Sequence, residues 1–263
     1  MREERIRRER EFHRARSSRR EESYAVEDLR LEDAAWLSHE SWVGDAFDLL
    51  GDLRGKRVLD YGAGDGSSTV VLARRGAEVF AFDIAHGNNV LAGRRARANG
   101  VGGRVHLQEM AGEALGYRDG AFDAVYGNAI LHHLDLDEAG DELARVLRPG
   151  GVAVFSEPWG GNPLLEFVRR CVPYRGKDRT PDERPIRPAD VEKLRRRFPG
   201  AEVRNYQLLS MIRRQFPWPP LIALLEAIDR ALLDLFPGLG RYCRYAVIVL
   251  PKDAPPPPHG GGG

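Results

Sequence analysis

Between Lys56 and Glu157 the chain alternates short apolar runs with stretches of helical periodicity. KRVLDY (56–61), EVFAFD (78–83), RVHLQ (104–108), FDAVYGN (122–128) and VAVFSE (152–157) each have the length and apolar content of a buried strand. The intervening segments 65–75, 87–99 and 137–147 read as helices. The second stops at Asn99-Gly100 and the third runs into Pro149-Gly150-Gly151. Strands that alternate with helices imply βαβ units and right-handed crossovers. The expected fold is therefore α/β and doubly wound, a mostly parallel sheet with helices on both faces.

The flanks follow other rules. Residues 1–22 are dense in Arg and Glu. They read either as a solvated helix or frayed tail, or as a lid helix over a ligand, with Phe12, His13 and Tyr24 as its useful side chains. Residues 27–54 carry Leu29, Trp36, Trp42, Phe47 and Leu50 at roughly helical spacing, and a helix is expected there. After Glu157 the rhythm breaks into a segment rich in Pro, Arg and Gly, with short helices expected near 164–171 and 190–198. A strand-like segment follows near 201–209, then an amphipathic helix over 219–236 and a last strand over 245–250. The expected organisation is an N-terminal charged and helical lid (1–54), a ligand-binding core (55–157), an insertion (158–200), a C-terminal completion of the sheet (201–252) and a disordered tail (253–263).

Bulk properties exclude several classes. With 40 basic and 39 acidic residues among 263, the formal net charge is +1, which gives no support to a nucleic-acid partner. Cys171 and Cys243 alone make neither a disulfide framework nor a metal cluster, and no metal is expected. MREERIRRER lacks an apolar signal core, and no apolar run reaches membrane-spanning length. A cytoplasmic protein is expected, monomeric or homodimeric, with membrane association disfavoured.

The first strand ends in a turn, VLDYGAGDGSST (58–69), and the turn selects its ligand. Glycines let the backbone bend tightly and approach a bound molecule, and the helix that follows offers unpaired N–H groups. A nucleoside triphosphate loop ends in Gly-Lys-Ser/Thr; this one ends Gly66-Ser67-Ser68. The dinucleotide pattern G-x-G-x-x-G requires a third glycine where Ser67 stands. Asp60 and Asp65 beside the turn would repel a pyrophosphate and welcome a cationic group. Asp83, at the end of the second strand, suits a ribose diol. A ribose, an amino group, a positive charge and no phosphate together fit S-adenosylmethionine (SAM).

On these residues the chain resembles the class I, Rossmann-like SAM-dependent methyltransferases, of the type 11-like bacterial small-molecule kind. VLDYGAGDG looks like the family's first motif and VFAFDIA its second. AGEAL (111–115) falls where the adenine-contacting loop belongs, AFDAVYGNAILHHL (121–134) looks like the fourth motif, and LARVLRPGG (143–151) looks like the entry to the fifth strand. The resemblance implies a seven-stranded sheet and SAM as cofactor, with S-adenosylhomocysteine as product. It implies that Asp60 and Gly62 hold the methionine moiety, that Gly64 lets the backbone approach the ligand, that Tyr61 and Ala63 belong to the same cofactor site, and that Asp83 holds the ribose. Ile84 would lie against adenine, Gly112 and Glu113 at the adenine edge, and Asn128 and Ala129 beside the methionine moiety. Tyr61 departs from the family's usual aliphatic residue, and Ala111 from its usual acid.

Methyl transfer from a sulfonium needs an aligned nucleophile more than a base. His132, His133 and Glu157 are nevertheless candidates, because all three fall at the sheet edge where ligands bind in open α/β folds. The insertion supplies Trp159, Asn162, Arg169, Arg179 and Glu183, with Tyr24, as candidate substrate-pocket residues. The expected function is methyl transfer to O, N or C of a small molecule, in secondary metabolism. The alternatives are a lipid or quinone acceptor at a membrane surface, and non-transfer chemistry in a SAM site. The Asn/Asp-Pro-Pro-aromatic motif of base methylation is absent: Gly127-Asn128-Ala129-Ile130 stands there.

Overall fold

A computed structural model of the chain describes residues 2–21, 27–163, 165–167 and 184–253. Its centre is a seven-stranded sheet of β1 (Arg57–Tyr61), β2 (Glu78–Asp83), β3 (Val105–Glu109), β4 (Phe122–Asn128), β5 (Leu147–Pro158), β6 (Glu202–Tyr206) and β7 (Tyr245–Pro251), in the order β3-β2-β1-β4-β5-β7-β6. The strands from β3 to β5 pair in parallel. β7 runs antiparallel between β5 and β6. The strand order reverses between the parallel strands β1 and β4, so the C-terminal ends of β1, β2 and β4 open onto a crevice, the usual place for a ligand in such sheets.

Alternating side chains feed two cores. Leu59, Tyr61, Phe155 and Ile248 face one layer, closed by α6 (Leu136–Val146) and α7 (Pro188–Arg195). Val58, Tyr126, Val154 and Val247 face the other, closed by α3 (Val43–Asp48) and α4 (Ser67–Arg74). Helix α6 buries Leu136, Ala139, Gly140, Leu143 and Val146, an i, i+3, i+4, i+7 stripe. Asp135 caps it by accepting from the Asp137 and Glu138 amides. Helix α5 (His86–Ala98) links β2 to β3 and packs against α1 (Arg2–Glu21).

The expected single helix over 27–54 is broken. A 3-10 turn at Glu27–Leu29 and α2 (Asp33–Ser38) precede α3. Ser38 Oγ and His39 Nδ1 bond back to the carbonyls of Ala34 and Trp36, which gives the backbone an alternative to continuing. The break lets Trp42 stack on Tyr245, with ring centroids 4.9 Å apart and 17° between planes. The strand expected over 201–209 is shorter, because Gln207 takes a left-handed φ of 64° directly after β6. The helix expected near 164–171 lies largely outside the described residues, as do residues 254–263 of the expected tail.

Candidate active site

The glycine turn is built to stand close to a ligand. Gly62, Gly64 and Gly66 all have positive φ (75°, 54° and 81°). A Cβ on Gly62 would lie 2.7 Å from Ile130 Cγ1, and one on Gly66 would lie 2.6 Å from Ala92 Cα. A Cβ on Gly64 would meet nothing, because that position faces open space. The Gly64 amide donates to Asp83 Oδ2 at 3.1 Å, while Asp83 Oδ1 accepts from the Ala85 amide at 2.9 Å. The turn of β1 is thus fixed to the tip of β2.

A cavity of about 200 Å³ lies above this junction. Gly62, Gly64, Asp83, Ile84, Gly112, Glu113, Asn128 and Ala129 all line it. Segments separated widely in sequence therefore converge on one space. Residues that the sequence did not single out complete the wall: Phe82, Asn88, Met110, Ile130 and Leu134, with Arg5, Ile6 and Glu9 from α1. Helix α1 is accordingly a wall of the cavity and not a solvated tail. Its partners show how it is held: Arg5 pairs with the buried Glu113 and donates to the His133 carbonyl, and Glu9 lies 3.4 Å from His133 Nδ1. The one sequence signal for this was the charge density itself, which did not say which charges turn inward. Phe12 is half-buried; the side chain of His13 and all of Tyr24 lie outside the described residues.

Three expected cofactor residues do not line the cavity. Asp60 is 1% exposed, and its carboxylate accepts from Thr69 Oγ1 at 2.6 Å and Ser68 Oγ at 3.0 Å. Burial, partly offset by the two hydroxyl donors, raises its pKa to about 6. It clamps the first turn of α4 to β1. Ala63 is buried, and its amide donates to the Phe82 carbonyl. Tyr61 lies under the turn. Its hydroxyl donates to the Gly112 carbonyl at 2.6 Å, and its ring packs edge-on against Phe82 and Phe155. Burial holds its phenol far above the usual range. A Cβ on Gly112 would sit 2.5 Å from that hydroxyl. Tyr61 therefore fixes the height of the 110–115 loop, which explains its departure from an aliphatic residue.

The three candidate catalytic groups separate in the same way. Glu157 is fully buried; Oε1 accepts from the Ile130 and Leu131 amides at 2.9 and 2.7 Å, and Oε2 receives His132 Nδ1 at 2.7 Å. Glu157 and His132 form a staple behind the loop, away from the cavity. The staple sets the strained backbone in front of it, where Ala129 has a φ of 54° and its amide donates to the Ser156 carbonyl. His133, its ring tilted 37° against that of His132 with centroids 4.1 Å apart, lines the cavity.

The insertion residues that are described are structural. Trp159 pairs by a β-bridge with Ile186, and Asn162 bonds the Tyr242 carbonyl and the Leu165 amide. Neither lines the cavity. Arg169, Arg179 and Glu183 lie outside the described residues. Among the described residues no group of three or more His, Cys, Asp or Glu could hold a metal ion.

The wall carries three carboxylates, Glu9, Asp83 and Glu113, against one guanidinium, Arg5. Such a wall disfavours a pyrophosphate and favours a cation. Asp65, by contrast, spends its charge elsewhere, on the Ser67 amide and hydroxyl and on Arg95.

The methyltransferase domain family matches residues 59–155, the segment that supplies most of this wall. Over residues 59–155 the chain is similar to this methyltransferase domain family, and its sheet has the fold of the class I methyltransferases. Demethylmenaquinone methyltransferase of Thermus thermophilus is 36% identical over 144 residues, 51% of this chain and 64% of that relative. Geranyl diphosphate C-methyltransferase from Streptomyces coelicolor A3(2), solved with Mg2+, geranyl diphosphate and S-adenosyl-L-homocysteine, superposes with a TM-score of 0.54 at 18% identity, covering 80% of this chain and 77% of that one. The [4+2]-cyclase SpnF gives a TM-score of 0.55 at 23% identity, with 81% of each chain covered. These two likenesses establish the fold of the domain. The demethylmenaquinone relative extends beyond the region shared with this chain, which spans less than two thirds of it.

Proposed function

We propose that the chain transfers a methyl group from SAM to a small-molecule acceptor. The observation that carries this is the convergence of the glycine turn, Asp83-Ile84, Gly112-Glu113 and Asn128-Ala129 on one cavity whose carboxylates outnumber its cations. The cofactor, when bound, supplies a methyl carbon already activated by a positive sulfur. The protein's part is to hold and exclude. Gly62 and Gly64 admit the ligand close to the backbone, Asp83 takes the ribose hydroxyls, and Ile84 lies against adenine. Gly112 and Glu113 meet the adenine edge, and Asn128 and Ala129 the methionine end. His133, with Glu9 beside its Nδ1, is the group placed to accept a proton from a hydroxyl or ammonium acceptor. Cysteine usage suits a cytoplasmic setting for this reaction.

Calorimetry tests the cofactor: SAM and S-adenosylhomocysteine should bind and NAD should not, and Asp83→Ala should weaken the first two. Intact SAM binding in Asp83→Ala would remove that residue from the site. His133→Ala should lower turnover while SAM affinity holds; unchanged turnover would show that no base acts from that position. The acceptor is sought by incubating cell extracts with methyl-labelled SAM and finding the labelled product by mass spectrometry. A lipid or quinone acceptor is the second reading, favoured by the 36% identity to a demethylmenaquinone methyltransferase.

A further inference from the structure

Helix α8 (Pro219–Leu235) is amphipathic, yet it buries only Ile222 and Asp229. Its seat is polar: the Asp229 carboxylate accepts from the Leu208, Leu209 and Ser210 amides and from Ser210 Oγ. At 100° per residue, Leu224, Ile228, Ala231 and Leu235 share one stripe, and all four are exposed. Leu224 is 58% and Leu235 71% exposed. Exposed aromatic residues flank the helix at both ends, Phe216 (60%) and Trp218 (62%) before it and Phe236 (54%) after it. Large apolar groups gathered in this way mark a binding surface.

We propose that α8 and its flanking aromatic residues seat the molecule on an anionic lipid surface, with the helix lying in the interface plane. Two observations favour a lipid surface over another occupant. The first is the placement of Trp218, Phe216 and Phe236 at the helix ends; Trp above all settles at headgroup depth, with apolar helix faces below it. The second is charge. Glu226 is held by Arg213, and Asp229 is buried. The exposed charges that remain along 209–242 are Arg214, Arg230 and Arg241 against Asp234. This excess of cations complements acidic headgroups. No helix among the described residues is long and apolar enough to cross a membrane, which agrees with a helix that lies flat. The proposal is independent of the reaction, because it concerns only where the molecule rests.

Flotation of the full chain with phosphatidylcholine vesicles, with and without phosphatidylglycerol, tests it. Binding should require or strongly prefer the anionic lipid and weaken with salt. Trp218 emission should shift to the blue on binding, and a Trp218→Phe variant should lose that shift. The double variant Leu224→Glu/Ile228→Glu should lower partitioning about tenfold or more, and Arg214→Glu should lower it on anionic vesicles only. SAM affinity, read in parallel, should stay unchanged in all of them, which shows that the fold is kept. Absence of vesicle binding at low salt overturns the proposal. So does a concentration-dependent dimer, seen by sedimentation, that the same double variant dissociates, because a second copy would then cover the face.

Discussion

Tyr61 stood out in the sequence as a departure from the usual aliphatic residue beside the glycine turn. In the structure its hydroxyl carries the Gly112 carbonyl, and so the floor of the cavity beside Glu113. Tyr61→Phe leaves that carbonyl without its donor in the interior and should cost about 1–3 kcal/mol. We expect the loss to appear as weaker SAM binding and faster hydrogen exchange over 110–115. A uniform loss of stability with SAM affinity intact would count against this role. Asp60 carries a different expectation. Burial lifts its pKa from the usual 3.8 to about 6. The folded state therefore binds this proton more tightly than the unfolded one. The stabilisation is full below pH 4 and is lost as pH rises through about 6. Asp60→Asn removes that dependence. Relative to wild type, the variant should gain up to about 3 kcal/mol between pH 4 and pH 7.5, measured by urea unfolding at both. At this scale the sequence showed which residues matter better than it showed why. Asp60 and Asp65 suggested an acidic site, yet neither faces the cavity; Glu9 and Glu113 supply much of that charge.

Elements were legible where one period dominated. Strands β2 and β4 fall at the ends expected of them, and α4, α5 and α6 differ from expectation by a residue or two. The reason is physical: β2 and β4 are buried on both faces, α6 along one stripe and α4 nearly all round, so hydrophobic pattern and structure coincide. The 27–54 segment misled because its apolar residues reach one core through a bend, which periodicity cannot encode. Helix α1 misled in the opposite way. Its sequence is charged along its whole length, so nothing in the pattern separates the face that pairs with Glu113 and His133 from the face in water. Removing residues 1–21 should leave the sheet folded and open the cavity. We expect faster dissociation of SAM by stopped flow, with the far-UV spectrum reduced only by the lost helix. Unaltered dissociation would mean that α1 does not enclose the ligand. A finer variant, Glu9→Gln, should alter the pH dependence of turnover and leave SAM affinity nearly constant if Glu9 orients His133.

The whole molecule places its site by strand order. βαβ rhythm alone implied a parallel sheet, but not that β7 would insert antiparallel between β5 and β6. That insertion pairs seven residues of β5, including Glu157, with β7, and so holds the stapled loop that presents His133. Ligand binding should be visible at this scale. SAM at about a hundred times its dissociation constant should add about 2.7 kcal/mol and raise the thermal midpoint by about 5–10 °C, and NAD should leave it where it was. Scanning fluorimetry decides the matter. The excess of carboxylate on the cavity wall bears on what happens after the transfer. In the proposed reaction the ligand would enter with a positive sulfur and leave with a neutral one, so the attraction that admitted it would be weakened by the transfer. The wall would then hold the product less tightly than the donor, which should show as a higher dissociation constant for S-adenosylhomocysteine than for SAM.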